Sequence, residues 1–413
     1  MIKKCLFIAN RPFWPPNSGH EVALYHYCKE LHEKYKYNIT LYLFSSSGLK
    51  ESPDFIAELI IAKNISKFGK IINIAKCWLS NRPLQTGLMV SKANQISITE
   101  LSKKNNYDLI IVDMIRLASY IECLNNQVCK KVLIVEDLLS DRYRRVLNVK
   151  DSKGSVMGYY QNTLPSVFNK LLDIQALKRY VLSYEANAIN KEQSRYIQQY
   201  SYFTLIAQKD AIYFNQTYKT SKALRLGLGV DIDYFSQRIQ EVDKGQNGLC
   251  FIGNMYVAAN QDSVRYIVNQ ILPKISSKVV FNIIGSVPEQ FMKKINNKSV
   301  IFHGRIEDMR SICNKSKIFL APIVYGTGIK TKIIEAMAMG LPVVTNSVGA
   351  ESIDAENYKD FICEDDPDII ANKIDNLLND ESLAGQIANN GREFAQNNFD
   401  WKLVLKTFEE MEL

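Results

Sequence analysis

Residues 321–351 read APIVYGTGIKTKIIEAMAMGLPVVTNSVGAE and gather several side chains suited to chemistry. An apolar run, Ile318–Ala321, leads into a loop bearing Gly326, Thr327 and Gly328. A helical stretch, Gly328–Met339, follows and is stopped by Gly340, after which Pro342–Thr345 reads as a strand. A helix that starts behind a glycine loop presents free backbone N–H groups and about half a positive charge, which suits a diphosphate. Lys330 and Lys332 stand in its first turns, beside the N–H groups of Thr327, Gly328 and Ile329. Glu335 follows, and a carboxylate there can accept hydrogen bonds from the two hydroxyls of a ribose. Phosphate loop, cations and hydroxyl-binding acid in one segment describe a site for a nucleotide sugar. The alternative is an ordinary strand–loop–helix unit with two surface lysines, since glycine loops are common in α/β proteins.

Other residues offer chemistry more weakly. Asp231-Ile-Asp233 has the spelling of a divalent-cation ligand pair, but it lies in a predicted interdomain joint before Tyr234-Phe235. It reads as structural, and no metal or other cofactor is expected. Arg305, beside His303-Gly304, suits either the phosphates or a nucleobase. The loop Asn17-Ser18-Gly19-His20-Glu21 opens a helix, and Gly19 would let backbone approach a ligand. Glu136-Asp137 closes a predicted strand; Asp137 is either a ligand-contacting carboxylate or the N-cap of the next helix.

The elements that must position these residues alternate strand and helix, which argues for parallel, doubly wound sheets. Strands are predicted at 3–9, 39–44, 109–113, 132–136 and 202–206, then at 249–253, 279–284, 299–302, 318–321, 342–345 and 360–363. Helices are predicted near 260–275, 306–314, 328–339 and 367–379, with Pro367 in a first turn. A break in periodicity over 227–247 divides the 413 residues into an amino-terminal domain, 1–226, and a carboxyl-terminal domain, 227–399. Ligands of open α/β sheets bind at the carboxyl ends of the strands.

Composition narrows the setting. Residues 1–225 carry 32 Lys+Arg and 18 Asp+Glu, net +14, while the remainder is net −6. Such a split suggests that the first half faces an anionic partner, although compositional drift would leave the same trace. No apolar run reaches the length that spans a bilayer. The first residues read as a buried strand rather than an export signal, and the eight cysteines form no CxxC pair. Both features favour a reduced, cytoplasmic setting. A helix predicted over Ile60–Leu79 places Ile61, Ile65, Phe68, Ile72, Ala75 and Leu79 on one stripe, with Lys63, Lys67, Lys70 and Lys76 largely off it. It would either lie on a membrane or pack that stripe on its own domain. The stretch Leu164–Gln199 reads as core helix, and Arg142-Tyr-Arg-Arg145 with Lys150 and Lys153 as a cationic run.

The stretch Glu335-Ala-Met-Ala-Met-Gly-Leu-Pro-Val-Val resembles the carboxyl-terminal signature of the family-4 retaining glycosyltransferases. Further matches are Phe251-Ile-Gly-Asn-Met with Asn260, Gly229-Val-Asp with Tyr234-Phe235, Pro83-Leu-Gln85, and Asp137-Leu-Leu-Ser with Arg142-Tyr143. The family pairs two glutamates eight positions apart; the first falls here on Thr327, as in a bacterial surface-polysaccharide subgroup with Gly-Thr/Ser-Gly. The resemblance implies the GT-B fold: two Rossmann-like domains facing a cleft, with a carboxyl-terminal helix, 400–413, crossing back to the first domain. Relatives place an Arg and a Lys for the diphosphate where this chain reads Gly253-Asn254-Met255, which shifts the weight to Lys332. The resemblance also makes Ser18-Gly19-His20-Glu21 the counterpart of a Gly-Gly-x-Glu loop, and Asp137 an acceptor-side residue.

The expectation is a retaining, metal-independent hexosyltransferase acting at the inner face of the cytoplasmic membrane. Its partners would be a nucleoside-diphosphate sugar, a glycan or glycolipid acceptor and an anionic membrane surface, and not nucleic acid. The rival readings are a hydrolase or epimerase of the nucleotide sugar, and a non-catalytic nucleotide-binding or scaffolding subunit.

Overall fold

The computed structural model of the protein describes residues 3–16, 18–45, 49, 51–148, 175–237, 247–326 and 328–413. Two compact units divide the chain: Met1–Leu226 with Thr407–Leu413, and Gly227–Lys406.

The first unit is built on a seven-stranded parallel sheet. Its strands are β1 (Lys3–Ala9), β2 (Tyr37–Leu43), β3 (Ile56–Ile61), β4 (Leu109–Asp113), β5 (Lys130–Glu136), β6 (Tyr202–Leu205) and β7 (Ala223–Arg225), in the order β3-β2-β1-β4-β5-β6-β7. Cys5 to Ala9 and Leu109 to Asp113 are all fully buried or nearly so, as central parallel strands covered on both faces must be. The chain runs outward from β1 to β3, then returns to lay β4 on the other side of β1. The ends of β1 and β4 therefore mark the point where the winding reverses, the usual ligand crevice of such sheets.

The second unit repeats the plan. Strands β8 (Gly248–Ile252), β9 (Val280–Ile284), β10 (Val300–Gly304), β11 (Ile318–Ala321), β12 (Val343–Thr345) and β13 (Ile362–Cys363) lie in the order β10-β9-β8-β11-β12-β13, all parallel. Here the reversal falls between β8 and β11.

Several elements differ from expectation. Of the predicted helix 60–79, Ile60 and Ile61 are the end of strand β3, and the helix, Lys67–Leu79, starts only after Ser66, which caps it by accepting the Gly69 N–H. The glycine-loop helix begins at Thr331, because Gly328 at φ 74° cannot be helical. The helix predicted over 260–275 begins at Ala258 and changes to a π turn at Ile267–Ile271 and a 3-10 turn at Leu272–Lys274. That over 306–314 shrinks to Arg310–Cys313. The final helix is split into Trp401–Val404 in the second unit and Thr407–Glu410 in the first. The Thr407 hydroxyl donates to the Arg225 carbonyl, and the Lys130 amine pairs with Glu412 at 3.1 Å. Helix Gln175–Tyr196 occupies the described part of the predicted 164–199 stretch; 164–174, with Lys150 and Lys153, lies outside the described residues.

Candidate functional site

The loop after β11 is pinned before it reaches its glycines. Asn346, just past β12, accepts the Ile323 N–H at 2.9 Å and donates back to the Ile323 carbonyl at 2.9 Å. Its oxygen also accepts the Gly349 N–H. Beyond that clamp, Gly326 (φ 146°) and Gly328 (φ 74°) take backbone angles that a side chain would strain. Thr327 lies outside the described residues. The Lys330 amine folds back onto the Gly328 carbonyl at 2.5 Å, and Ile329 packs against the core. Burial pulls the Lys330 amine below its ordinary pKa, against the opposing charge of Glu351.

Helix Thr331–Ala338 is anchored by Ile333, Ile334, Ala336, Met337 and Ala338, all fully buried. Gly340 ends it at φ 69°, where a Cβ would lie 1.9 Å from the Arg392 guanidinium. Among the described residues no side chain caps the helix start, so its leading N–H groups keep their capacity for an anion.

Lys332 lies in the first turn, half-buried, with its amine donating to Asn260 Oδ1 at 2.9 Å and lying 4.4 Å from the Phe251 ring centre. Burial pushes this amine down to about 8, with Glu335 raising it and Lys330 lowering it further. Glu335, one turn on, is raised by burial, while the Thr331 hydroxyl and Lys332 oppose the rise.

Asn260 connects the two halves of this site. Its amide nitrogen donates to the Asn254 carbonyl at 2.9 Å, so one side chain ties the loop after β8 to the lysine after β11. Gly253 leaves little room there: a Cβ would sit 3.0 Å from Asn260 Cγ, and the amide would have to shift to admit it. Gly285, at φ 130°, faces Gly253, and its Cβ would lie 2.1 Å from the Gly253 carbonyl oxygen. Asn260 appeared in the sequence only as part of a motif, and Asn346 gave no signal at all. Their roles depend on contacts made 72 and 23 residues away.

The β10 residues are placed differently. The His303 ring shares a hydrogen bond with Asn282 Oδ1 at 2.8 Å, and burial followed by Lys315 lowers its pKa. Gly304 (φ 68°) accepts the Gly285 N–H, and Arg305 is exposed. His303 and Gly304 sit on the edge strand, separated from β8 by β9, and Arg305 lies just past its end. Asp231 caps the short helix Ile232–Ser236 through the Tyr234 N–H, and Asp233 pairs with Lys402 at 2.7 Å.

In the first unit, Ser18 caps helix Gly19–Glu33, and Gly19 is exposed at its start. The next residue, His20, places Nε2 3.1 Å from Asp113 at the end of β4 and Nδ1 3.4 Å from Glu136 at the end of β5. Burial alone would lower the imidazole pKa, but the charges of Asp113 and Glu136 prevail and raise it to about 10. Glu136 is correspondingly held low: burial would raise it, and His20, Arg142 and Arg116 outweigh that. It adopts φ 71°, and Met114 after β4 adopts φ 69°, conformations rare for residues with side chains. Asp137 turns to Arg142, which donates to it at 2.5 Å. Arg144 pairs with Asp141, so the cationic run of this helix is partly matched by its own carboxylates.

Residues 246–380 match the family model described as "Glycosyl transferases group 1". Over 331 residues, 74% of this chain and 84% of the relative, the sequence is 23% identical to an uncharacterised 44.6 kDa protein in the cps region of Klebsiella pneumoniae. It is 34% identical over 117 residues, 28% of this chain and 30% of the other, to the capsular polysaccharide biosynthesis glycosyltransferase CapM of Staphylococcus aureus. In structure it is similar to Anabaena Alr3699/HepE, solved in complex with UDP, with TM-score 0.64 and 14% identity over 99% of both chains. The glycine loop, Lys332, Glu335 and the loop after β8 all fall within the matched residues. The chain carries the GT-B fold, and residues 246–380 of its second unit are similar to the group 1 glycosyltransferase model.

Proposed function

We propose that the protein transfers a hexose-type sugar from a nucleoside-diphosphate sugar to a growing surface glycan, with retention of configuration. The observation that carries this reading is Lys332: a half-buried amine, depressed by its surroundings, at an uncapped helix start where the sheet winding reverses. A buried cation without a carboxylate bonded to it is costly to keep, and a diphosphate would compensate it. Backbone N–H groups near Gly328 and Ile329 would share that charge, and Glu335 would accept the ribose hydroxyls. Gly253 and Asn254 would line the diphosphate, while His303, Gly304 and Arg305 would approach the base. In the first unit Gly19 would face the ligand, and Asp137, or its neighbour Glu136, would orient the acceptor hydroxyl.

In the proposed step the acceptor oxygen bonds to the anomeric carbon as the bond from that carbon to the diphosphate oxygen breaks. The acceptor proton passes to the departing phosphate, so both arrive and leave on one face of the sugar. Cations and helix dipole stabilise the leaving charge, and no divalent metal is required. Anabaena Alr3699/HepE, solved with UDP-glucose, supports a nucleotide-sugar donor. The capsule-related names of the Klebsiella and Staphylococcus relatives support a surface-glycan acceptor. We place the enzyme at the inner face of the cytoplasmic membrane, where a lipid-linked acceptor would be met.

Donor turnover measured with and without an acceptor glycolipid tests the reading. Sugar transfer only with acceptor is expected. Release of free sugar without acceptor would make the protein a hydrolase, and nucleotide binding with no turnover on any acceptor would make it a non-catalytic subunit.

A further inference from the structure

Helix Lys67–Leu79 turns the wrong way for a core helix. Its apolar stripe faces water: Phe68 is 72% exposed, Ile72 40% and Leu79 75%, and Ala75 between them is exposed too. The opposite face is the one that packs. Cys77 is buried with Leu84, Val181 and Leu182, and Ile74 joins them. Gly87 allows the close approach, since a Cβ there would meet the Asn73 and Ile74 backbone at 2.8 Å. The helix is therefore fixed by its inner face, and its outward stripe is not needed for the fold.

At about 100° per residue, Phe68, Ile72, Ala75 and Leu79 fall within one narrow sector opposite Cys77. Lys67 and Lys76, both exposed, flank that sector on its two sides, and Lys63 is exposed just before the helix. Trp78, 52% exposed, borders it as well. Apolar ridge, bordering indole and flanking lysines match a surface that is greasy inside and anionic at its rim. The net charge of +14 over residues 1–225 fits the same partner. A protein groove would suit the ridge but gives no reason for the lysines on both flanks.

We propose that the outward stripe of helix Lys67–Leu79 inserts into the headgroup region of an anionic lipid bilayer, with Lys63, Lys67 and Lys76 contacting lipid phosphates. The proposal rests on the membrane location in the functional reading, but its test does not depend on sugar transfer.

The chain has three tryptophans, and Trp14 and Trp401 are buried, so Trp78 reports on this face alone. In the free, dilute protein, iodide should quench Trp78 emission. Adding phosphatidylglycerol-rich vesicles should shift that emission to the blue and protect it from iodide, with brominated lipid quenching it instead. Trp78→Phe should remove the signal while leaving co-sedimentation nearly intact. The double change Phe68→Ser/Leu79→Ser should reduce vesicle binding at least tenfold and leave transfer to a soluble acceptor analogue unchanged. Changing Lys63, Lys67 and Lys76 to Gln should lower binding by roughly a hundredfold at low salt, about fivefold for each lysine near an anionic surface, and by much less at high salt. Equal binding to phosphatidylcholine vesicles would overturn the lysine role. Iodide protection that appears in the free protein, or that rises with protein concentration alone, would show the stripe covered by the chain itself or by a second copy, and would overturn the proposal. Loss of transfer with vesicle binding intact would instead count against the enzymatic reading.

Discussion

The two units reverse their winding in the same way and furnish that point with opposite charge. In the second, the ends of β8 and β11 bring together two lysines and one carboxylate: Lys330, Lys332 and Glu335. In the first, the ends of β1, β4 and β5 bring one imidazole between two carboxylates: His20, Asp113 and Glu136. On the proposed function, one topology would serve an anion in one unit and hydroxyl groups in the other. The backbone differs too. At the ends of β9 and β10 and in the loop that leaves β11 the second unit takes positive φ angles at Gly285, Gly304, Gly326 and Gly328, whereas at the ends of β4 and β5 the first takes them at Met114 and Glu136, where side chains make them costly. Glycine lets backbone approach a ligand; a strained Glu136 aims a carboxylate.

The largest expected effect tests the acidic cluster. His20→Gln removes the imidazolium between Asp113 and Glu136, leaving Glu136 only the charges of Arg142 and Arg116, a loss of roughly 3–5 kcal/mol for a broken buried pair. The pH dependence has a definite sign. The folded pKa of His20, about 10, lies above the unfolded value of 6.5, so its contribution is complete below pH 6.5 and is lost as pH rises towards 10. Melting temperatures of wild type and His20→Gln should differ most near pH 6 and converge by pH 10. A constant difference would mean the imidazole is not charged in the folded state.

Next in size is Lys332→Ala, which should weaken nucleoside-diphosphate binding by about ten- to a hundredfold, the worth of a charged hydrogen bond. Nucleoside binding should change little, because a neutral ligand gains nothing from the amine. The depressed pKa adds a second signature. A bound diphosphate favours the protonated amine, so wild-type affinity should fall as pH rises above about 8. In Lys332→Ala that fall should disappear. Calorimetric titrations at pH 7 and 9.5 decide the matter, and parallel losses for nucleoside and diphosphate would assign Lys332 to packing.

The unequal legibility of the two sites follows from the same comparison. The glycine loop, its lysines and Glu335 lie within ten residues of one another, and glycines announce the backbone they permit. The His20 cluster joins residues 93 and more apart, through strands whose pairing no local pattern encodes. Its strained residue is a glutamate, which announces nothing. The β-α alternation was visible because parallel strands such as Cys5–Ala9 are continuous apolar runs. Strand β3, with Glu58 and exposed positions on an edge, was not: its last two residues, Ile60 and Ile61, were absorbed into a helix that starts only at Lys67. Helical period was readable in Phe68–Leu79, but period alone does not say which face is buried. The short buried patch of Cys77 and Ile74 outweighed the longer stripe because it meets Val181 and Leu182 from a distant helix.

Glu335→Ala should cut turnover at least tenfold, at the lower end of what one charged hydrogen bond supplies. Burial raises its pKa while the Thr331 hydroxyl and the Lys332 charge oppose the rise, so the carboxylate sits beside one hydroxyl and one amine at the helix start. A folded variant with normal donor affinity would remove the ribose role. Glu335→Gln should recover part of the loss, since its amide oxygen still accepts one hydroxyl.

The smallest expected effect is that of chelation. If the lysines and helix start of the second unit carry the leaving charge, EDTA should leave turnover within about twofold of its starting value, well under the factor of ten that corresponds to about 1.4 kcal/mol. The residues that could contest this are Asp231 and Asp233, and both have other work: one caps a helix through Tyr234, and the other pairs with Lys402 at 2.7 Å. A metal would have to displace the Lys402 amine to use Asp233. The decisive experiment combines the two reagents. Turnover abolished by EDTA, restored by Mg²⁺ or Mn²⁺, and insensitive to Lys332→Ala would move the leaving-group charge from protein to metal. The contrast between the cationic and the acidic winding points would then lose its functional meaning.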